Sequence, residues 1–210
     1  AGIPVFCGGH GYGALPYDHP LWCKDLALLG LLGMTRQPGI DALLAVGARF
    51  GLFSGGRGEA IVPSGIAIAQ VDLHPPELGR LREVKVPVLA DARETFRALA
   101  EAARDVEWPD WSAWAAAAGG LKTMTDGMFG PAPAEQSPIH PHHAMTMLTG
   151  VMPRDALYVL DGGETSAWSH MALKVDASRQ IIGAGYHGCL GVGPGMAIGA
   201  DGPVQTVVLA

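Results

Sequence analysis

Three stretches of this sequence carry residue types at spacings suited to chemistry. The richest is Tyr186-His-Gly188-Cys-Leu-Gly191-Val-Gly193-Pro-Gly195-Met-Ala-Ile-Gly-Ala200, where glycines at short alternating intervals follow an apolar strand and lead into an apolar helix. Such a turn lets backbone approach a flat or phosphorylated ligand closely, and it serves equally well as a tight strand-to-helix connection under another element. Gly9-His-Gly11-Tyr-Gly13 has the same character. Neither is followed at about 20 residues by an acidic residue closing a strand, so a nicotinamide-dinucleotide fingerprint does not fit. The third stretch, Asp161-Gly162-Gly163-Glu164-Thr165, comes straight after an apolar strand. A helix N-terminus there offers amide N–H groups to a phosphate, or is a plain loop and cap.

Other candidates are weaker. His140-Pro-His142-His143 has three imidazoles but no zinc-motif spacing and no nearby cysteine or carboxylate, so a surface helix start is the better reading and no metal ligand is assigned. Ser54-Gly55-Gly56 and Ser64-Gly65 form no G-x-S-x-G elbow. Arg49, Arg57 and Asp72 flank strand ends and suit a nucleotide, but also suit solvated loops.

The elements that must position these residues follow from pattern. Ile3–Phe6, Asp41–Ala48, Ile66–Val71, Val86–Leu89, Leu157–Leu160, Gln180–Ile182 and Val204–Leu209 read as short strands, with Asp41–Ala48 buried on both faces. Helices are expected over Leu21–Leu32, over Ala92–Arg104 behind an Asp91 cap, after Trp108, Trp111 and Trp114, over Pro141–Leu148, after Gly163, and over Val192–Ala200. Pro75–Gly79 opens with proline as a helical turn and closes on glycine. Met124–Pro138 reads as a linker with a boundary near Gly130–Gln136. Strands alternating with helices in both halves imply an α/β fold with parallel sheets flanked by helices.

Composition bounds the function class. The 210 residues carry 14 Lys+Arg against 20 Asp+Glu, a net charge of −6, which argues against a generic nucleic-acid binder. With 49% hydrophobic residues and 16% charged, the chain is too apolar to be disordered. Its longest apolar runs are short or broken by glycine, so no membrane span is expected. Three cysteines without a C-x-x-C pair and no signal peptide at the start suit reduced thiols in the cytoplasm. Thirty glycines and 16 prolines without a repeat indicate many tight turns, the usual seat of ligands in α/β sheets.

Taken together, Asp41–Gly51, Gln70-Val-Asp72-Leu-His-Pro75-Pro-Glu77-Leu-Gly79 and Val86-Pro-Val-Leu-Ala-Asp91 resemble the later part of the central domain of thiamine diphosphate-dependent enzymes of the acetolactate synthase and benzaldehyde lyase type. Gly47–Gly51 and Glu77–Leu81 are closest to benzaldehyde lyase. Ile139–His143, Val159–Gly163, Trp168 and Gly188–Ala200 resemble the start of that family's diphosphate-binding domain. The resemblance implies a Rossmann-like central domain over residues 1–130, a linker over 131–140, and the start of a thiamine diphosphate-binding domain over 141–210.

It also implies roles. Gly188 would accept a hydrogen bond from the cofactor's aminopyrimidine through its carbonyl, and Leu190 would be the wedge that bends the cofactor, where most relatives have methionine. Gly163, Glu164 and Thr165 fall at the diphosphate, with Glu164 adding a charge that must turn away. Ser166 and Ala184 stand where benzaldehyde lyase has a tyrosine and a histidine, which speaks against an identical benzoin-cleaving activity. The family's Mg²⁺-binding segment and its catalytic glutamate lie outside residues 1–210, so the sequence reads as a piece of a longer enzyme. The implied reaction is attack on a 2-keto acid or 2-hydroxy ketone with C–C cleavage or ligation, in a homodimer or homotetramer. FAD or ADP in the central domain, without catalysis, is the rival reading, and an inactive relative is a third.

Overall fold

In the run Asp41-Ala-Leu-Leu-Ala-Val-Gly47, continuous apolar residues closed by a glycine favour a strand over a helix. In the computed structural model, which describes residues 1–34, 39–131, 137–200 and 206–209, this run is β3 (Ala42–Val46). The strands before it are β1 (Val5–Cys7) and β2 (Trp22–Asp25). Two parallel neighbours follow, β4 (Ala67–Asp72) and β5 (Val86–Leu89), in the order β3-β4-β5. Ala42 pairs with Ala67 and Ala69 with Val86, so the C-terminal ends align. Gln70, 1% exposed, ties that end down: its amide donates to the carbonyls of Ala48 (3.0 Å) and Glu77 (3.2 Å) and its oxygen accepts from Gly79 N–H (3.0 Å). Every polar atom of this buried amide is thereby engaged, as burial demands.

The chain forms two compact units, the first comprising Ala1–Gly8 and Asp25–Leu121 and the second Gly9–Lys24 and Lys122–Ala210. In the first, Ala45, Phe50, Val62 and Ile68 cluster under one face of the sheet. The expectation that Asp41–Ala48 is buried on both faces fails. Leu44 is 47% exposed while its neighbour Ala45 is 5% exposed, because the connections around β4 are 3-10 turns at Leu52–Ser54 and Pro75–Glu77, not covering helices. α1 (Ala92–Ala102) follows β5, capped by the Asp91 carboxylate, which accepts from the N–H groups of Arg93 and Glu94.

The expected helix over Leu21–Leu32 is also corrected. Trp22–Asp25 is β2, and Leu26–Met34 winds as a 3-10 helix. Leu26, Leu29 and Leu32, each three residues apart, are all buried, together with Leu121 and beside Trp114. Three residues per turn aligns them on one face, whereas an α-helix would spread them. Gly30 fits this tight winding, since a Cβ there would lie 2.5 Å from the Ala60 carbonyl oxygen.

α2 (Ser112–Asp126) runs further than expected, through Met124–Asp126, which the sequence suggested as linker. Within the second unit its end is anchored. The Asp126 carboxylate accepts from buried Lys24 (2.7 Å) and from the Tyr17 hydroxyl, and Lys24 also donates to the Met171 carbonyl (2.6 Å). Residues 132–136 of the expected linker, and the 201–205 portion of the last connection and strand, lie outside the described residues.

α3 (Pro141–Val151) starts with His140 as cap, its Nδ1 accepting from His142 N–H, and proline at the first turn. The remaining elements are β6 (Leu157–Leu160), α4 (Glu164–Ala172), β7 (Ile181–Gly183), α5 (Gly193–Gly199) and β8 (Thr206–Leu209). The sheet is parallel in the order β7-β6-β8. The chain steps from β6 to one side through α4, then back across to β8 through α5. Right-handed crossovers running in opposite directions lie on opposite faces, and the C-terminal ends of β6 and β7 are where a sheet of this order is expected to have its ligand crevice.

Candidate functional site

The loops at that crevice are 161–163 after β6 and 184–192 after β7. Asp161, 7% exposed, joins them: its carboxylate accepts from the N–H groups of Gly191 (2.8 Å), Val192 (2.9 Å) and Gly193 (3.1 Å). These bonds, the Gly191 N–H foremost, hold the Asp161 carboxyl below the usual carboxylate range against the opposing effect of burial. The sequence reading missed this role. Its partners lie 30 to 32 residues along the chain, and the only local signal is an aspartate at a strand end ahead of two glycines.

Gly162 and Gly163 let the two loops touch. A Cβ on Gly162 would sit 2.1 Å from the Gly188 carbonyl oxygen and 2.4 Å from that of Cys189. Gly163 has φ +75°, and a Cβ there would lie 2.9 Å from Leu190 Cδ2. The structure therefore brings Gly163, Gly188 and Leu190 together. Gly188 is itself left-handed at φ +55°, and Leu190 projects 76% exposed.

Gly163 has no side chain to cap α4, so the N-terminus of this nine-residue helix carries no capping side chain at that position and suits an anion. Glu164 opens the helix, and its Oε1 accepts from Trp168 Nε1–H at 2.9 Å. Thr165 is half-buried and its carbonyl accepts from the Ser169 hydroxyl (2.7 Å). Ser166 follows on the same first turn, and Ala184 precedes the 3-10 turn Gly185–His187. A feature missed from sequence is the approach of Gly9–Gly13 to this region, where His10 Nε2 lies 2.6 Å from the position a Cβ on Gly185 would take.

In the histidine stretch 140–143, expected at the surface, His142 and His143 are buried, His140 is half-buried and Pro141 is exposed. His142 is 5% and His143 7% exposed, with Phe129 stacked on His140 at 4.8 Å and on His142 at 4.6 Å. Burial first, then the neighbouring His143, Lys24 and His140, push the His142 pKa down, opposed by Asp126. Among the described residues no group of three or more His, Cys, Asp or Glu side chains is placed to hold a metal ion. In the first unit, Asp72 accepts from His74 N–H (2.8 Å), Arg57 donates to the Arg80 carbonyl (3.3 Å), and Arg49 is exposed. They are not brought to one point by a shared contact. No helix among the described residues is long and apolar enough to cross a membrane.

Residues 1–99 match the family model of the thiamine pyrophosphate enzyme, central domain. Similar proteins include the acetolactate synthase large subunit of Corynebacterium glutamicum, 27% identical over 95% of this chain and 32% of that protein. The probable acetolactate synthase large subunit of Methanocaldococcus jannaschii is 28% identical over 94% of this chain and 34% of its own length. The acetolactate synthase isozyme 1 large subunit of Escherichia coli is 28% identical over 90% and 32%. The chain spans about a third of the length of the curated relatives it matches.

Proposed function

We propose that this chain, whose residues 1–99 match the thiamine pyrophosphate enzyme central domain and which is similar to acetolactate synthase large subunits, works in a thiamine diphosphate-dependent carboligase or lyase acting on 2-keto acids or 2-hydroxy ketones. The observation that carries this reading is the convergence of the uncapped α4 start with the turn bearing Gly188 and Leu190.

Those residues fit the cofactor. The α4 N-terminus, with positive-φ Gly163 and no side-chain cap, suits an anionic diphosphate, held by backbone N–H groups of Glu164 and Thr165. The Gly188 carbonyl belongs to a turn fixed by Asp161, and it would accept from the aminopyrimidine. Exposed Leu190 gives a ring something apolar to bend over, and burying it there removes apolar surface from water. When bound, thiamine diphosphate supplies the electron sink for breaking or making a C–C bond beside a carbonyl. The protein's part is to seat the phosphates, fix the bend, and exclude water from the reacting face. Magnesium is proposed with the diphosphate, but no ligand to it is assigned among residues 1–210.

The same proposal divides the chain into the later part of a central domain (1–130), a linker (131–140) and the start of the diphosphate-binding domain (141–210). It takes the assembly to be a homodimer or homotetramer. The cytoplasm is its compartment, in keeping with Cys7, Cys23 and Cys189, none of which is in a disulfide. FAD in the central domain is the finer point of this proposal that visible absorbance of the purified protein decides. A purely FAD- or ADP-binding module without catalysis is not favoured, since the relatives are enzymes by name. The test is turnover of pyruvate by the protein at its natural length. Consumption that depends on both thiamine diphosphate and Mg²⁺ is expected. Failure across 2-keto acids and 2-hydroxy ketones with both supplied would overturn the proposal.

A further inference from the structure

Glu164 puts a carboxylate on the first residue of the helix whose N-terminus is the proposed diphosphate seat. Left to itself, that carboxylate is drawn to the same N–H groups, because an anion is favoured at a helix N-terminus. It would then compete with the diphosphate and repel it. The structure shows another arrangement. Trp168, one turn further along α4, donates Nε1–H to Glu164 Oε1 at 2.9 Å and draws the carboxylate along the helix flank. The indole is held in turn: His140 lies edge-on at 4.9 Å and 78°, and Phe129 at 5.5 Å and 72°. Phe129 and His140 also stack on each other at 4.8 Å, and His140 is fixed as the cap of α3.

We propose that Trp168 is a positioning residue that holds the Glu164 carboxylate off the α4 N-terminus and so keeps the diphosphate seat open. This rests on the cofactor reading given above. Trp168 touches no cofactor in this scheme and acts only through Glu164. The geometry makes a specific demand on genetics: the harm done by removing the indole N–H must vanish when the carboxylate is removed as well.

The experiment is calorimetric titration of thiamine diphosphate, with Mg²⁺ present, into the protein at its natural length as wild type, W168F, E164Q and the double variant. Phenylalanine keeps the ring packing against Phe129 and His140 while deleting the donor. W168F is expected to bind about tenfold more weakly, the effect of one freed charge near the phosphates at an intermediate dielectric. That loss shrinks at high salt, because the freed charge is screened. The double variant binds within roughly threefold of E164Q, as coupling between contacting residues requires. Circular dichroism on each variant checks folding. Unchanged binding in W168F, or a double variant as weak as W168F, overturns the positioning role. Absence of binding by folded wild type overturns the cofactor reading and this inference with it.

Discussion

Replacing Gly162 by alanine tests how tightly the two loops must meet. The added Cβ would lie 2.1 Å from the Gly188 carbonyl oxygen and 2.4 Å from both the Gly188 carbonyl carbon and the Cys189 carbonyl oxygen, all of them backbone atoms. Cβ atoms essentially never come within 3.0 Å of such neighbours. The Gly188–Leu190 turn must therefore retreat by about 0.9 Å or more, or the strand end must shift, a cost of about 1–3 kcal/mol for overpacking. For a chain of this size that lowers Tm by about 2–12 °C. The functional effect is larger, because the turn carries both the carbonyl and the wedge assigned to the cofactor. A displacement of about 1 Å at such a position costs on the order of a hundredfold in rate. The assay is thermal unfolding beside cofactor titration and turnover. Gly195→Ala serves as control, since a Cβ there meets nothing within 4 Å. Gly162→Ala with wild-type Tm and wild-type cofactor affinity would refute the reasoning.

Further outcomes follow from other parts of the structure. Gly120→Ala, in the interior of α2 with nothing within 4 Å of the new Cβ, should stabilise by about 0.8–1 kcal/mol, and a thermal melt that fails to rise contradicts it. Lys24→Met removes a 3% exposed ammonium from Asp126 and the Met171 carbonyl, and urea unfolding should show a loss of about 2 kcal/mol, tempered because Asp126 is 33% exposed and can rehydrate. The folded-state pKa of His142 lies below its ordinary 6.5, so the unfolded chain takes up a proton that the folded chain refuses. Stability from this residue is complete above pH 6.5 and declines as the pH falls below it toward the folded-state value. His142→Gln should flatten that part of a stability–pH curve, and an unchanged slope would count against the assignment.

Much of this arrangement is legible in the sequence where the signal is local. The strands at 42–46, 67–72, 86–89 and 157–160, the Asp91 cap and the Pro141 helix start all follow from apolar runs and capping chemistry within a few residues. The misread segment Leu21–Leu32 shows the limit. Its leucines, at 21, 26, 28, 29, 31 and 32, satisfy a helical reading, and only the packing of Leu26, Leu29 and Leu32 with Leu121 favours the tighter winding. The exposed face of β3 escaped notice because a continuous apolar run does not reveal whether a covering helix exists. At the candidate site, the glycines and the α4 start were visible, while the role of Asp161 was not, since hydrogen bonds across 30 residues leave no periodicity to read. The grouping of Gly9–Lys24 with the second unit depends on comparably distant contacts, such as Lys24 with Asp126.

The central claim is that the crevice at the ends of β6 and β7 seats thiamine diphosphate. The most direct measurement is a crystal structure of the protein at its natural length grown with thiamine diphosphate and Mg²⁺. The account predicts the diphosphate against the N–H groups of Glu164 and Thr165, the aminopyrimidine at the Gly188 carbonyl, and the bend of the cofactor over Leu190. Cofactor bound elsewhere, or phosphates turned away from α4 with Leu190 facing solvent, would contradict it.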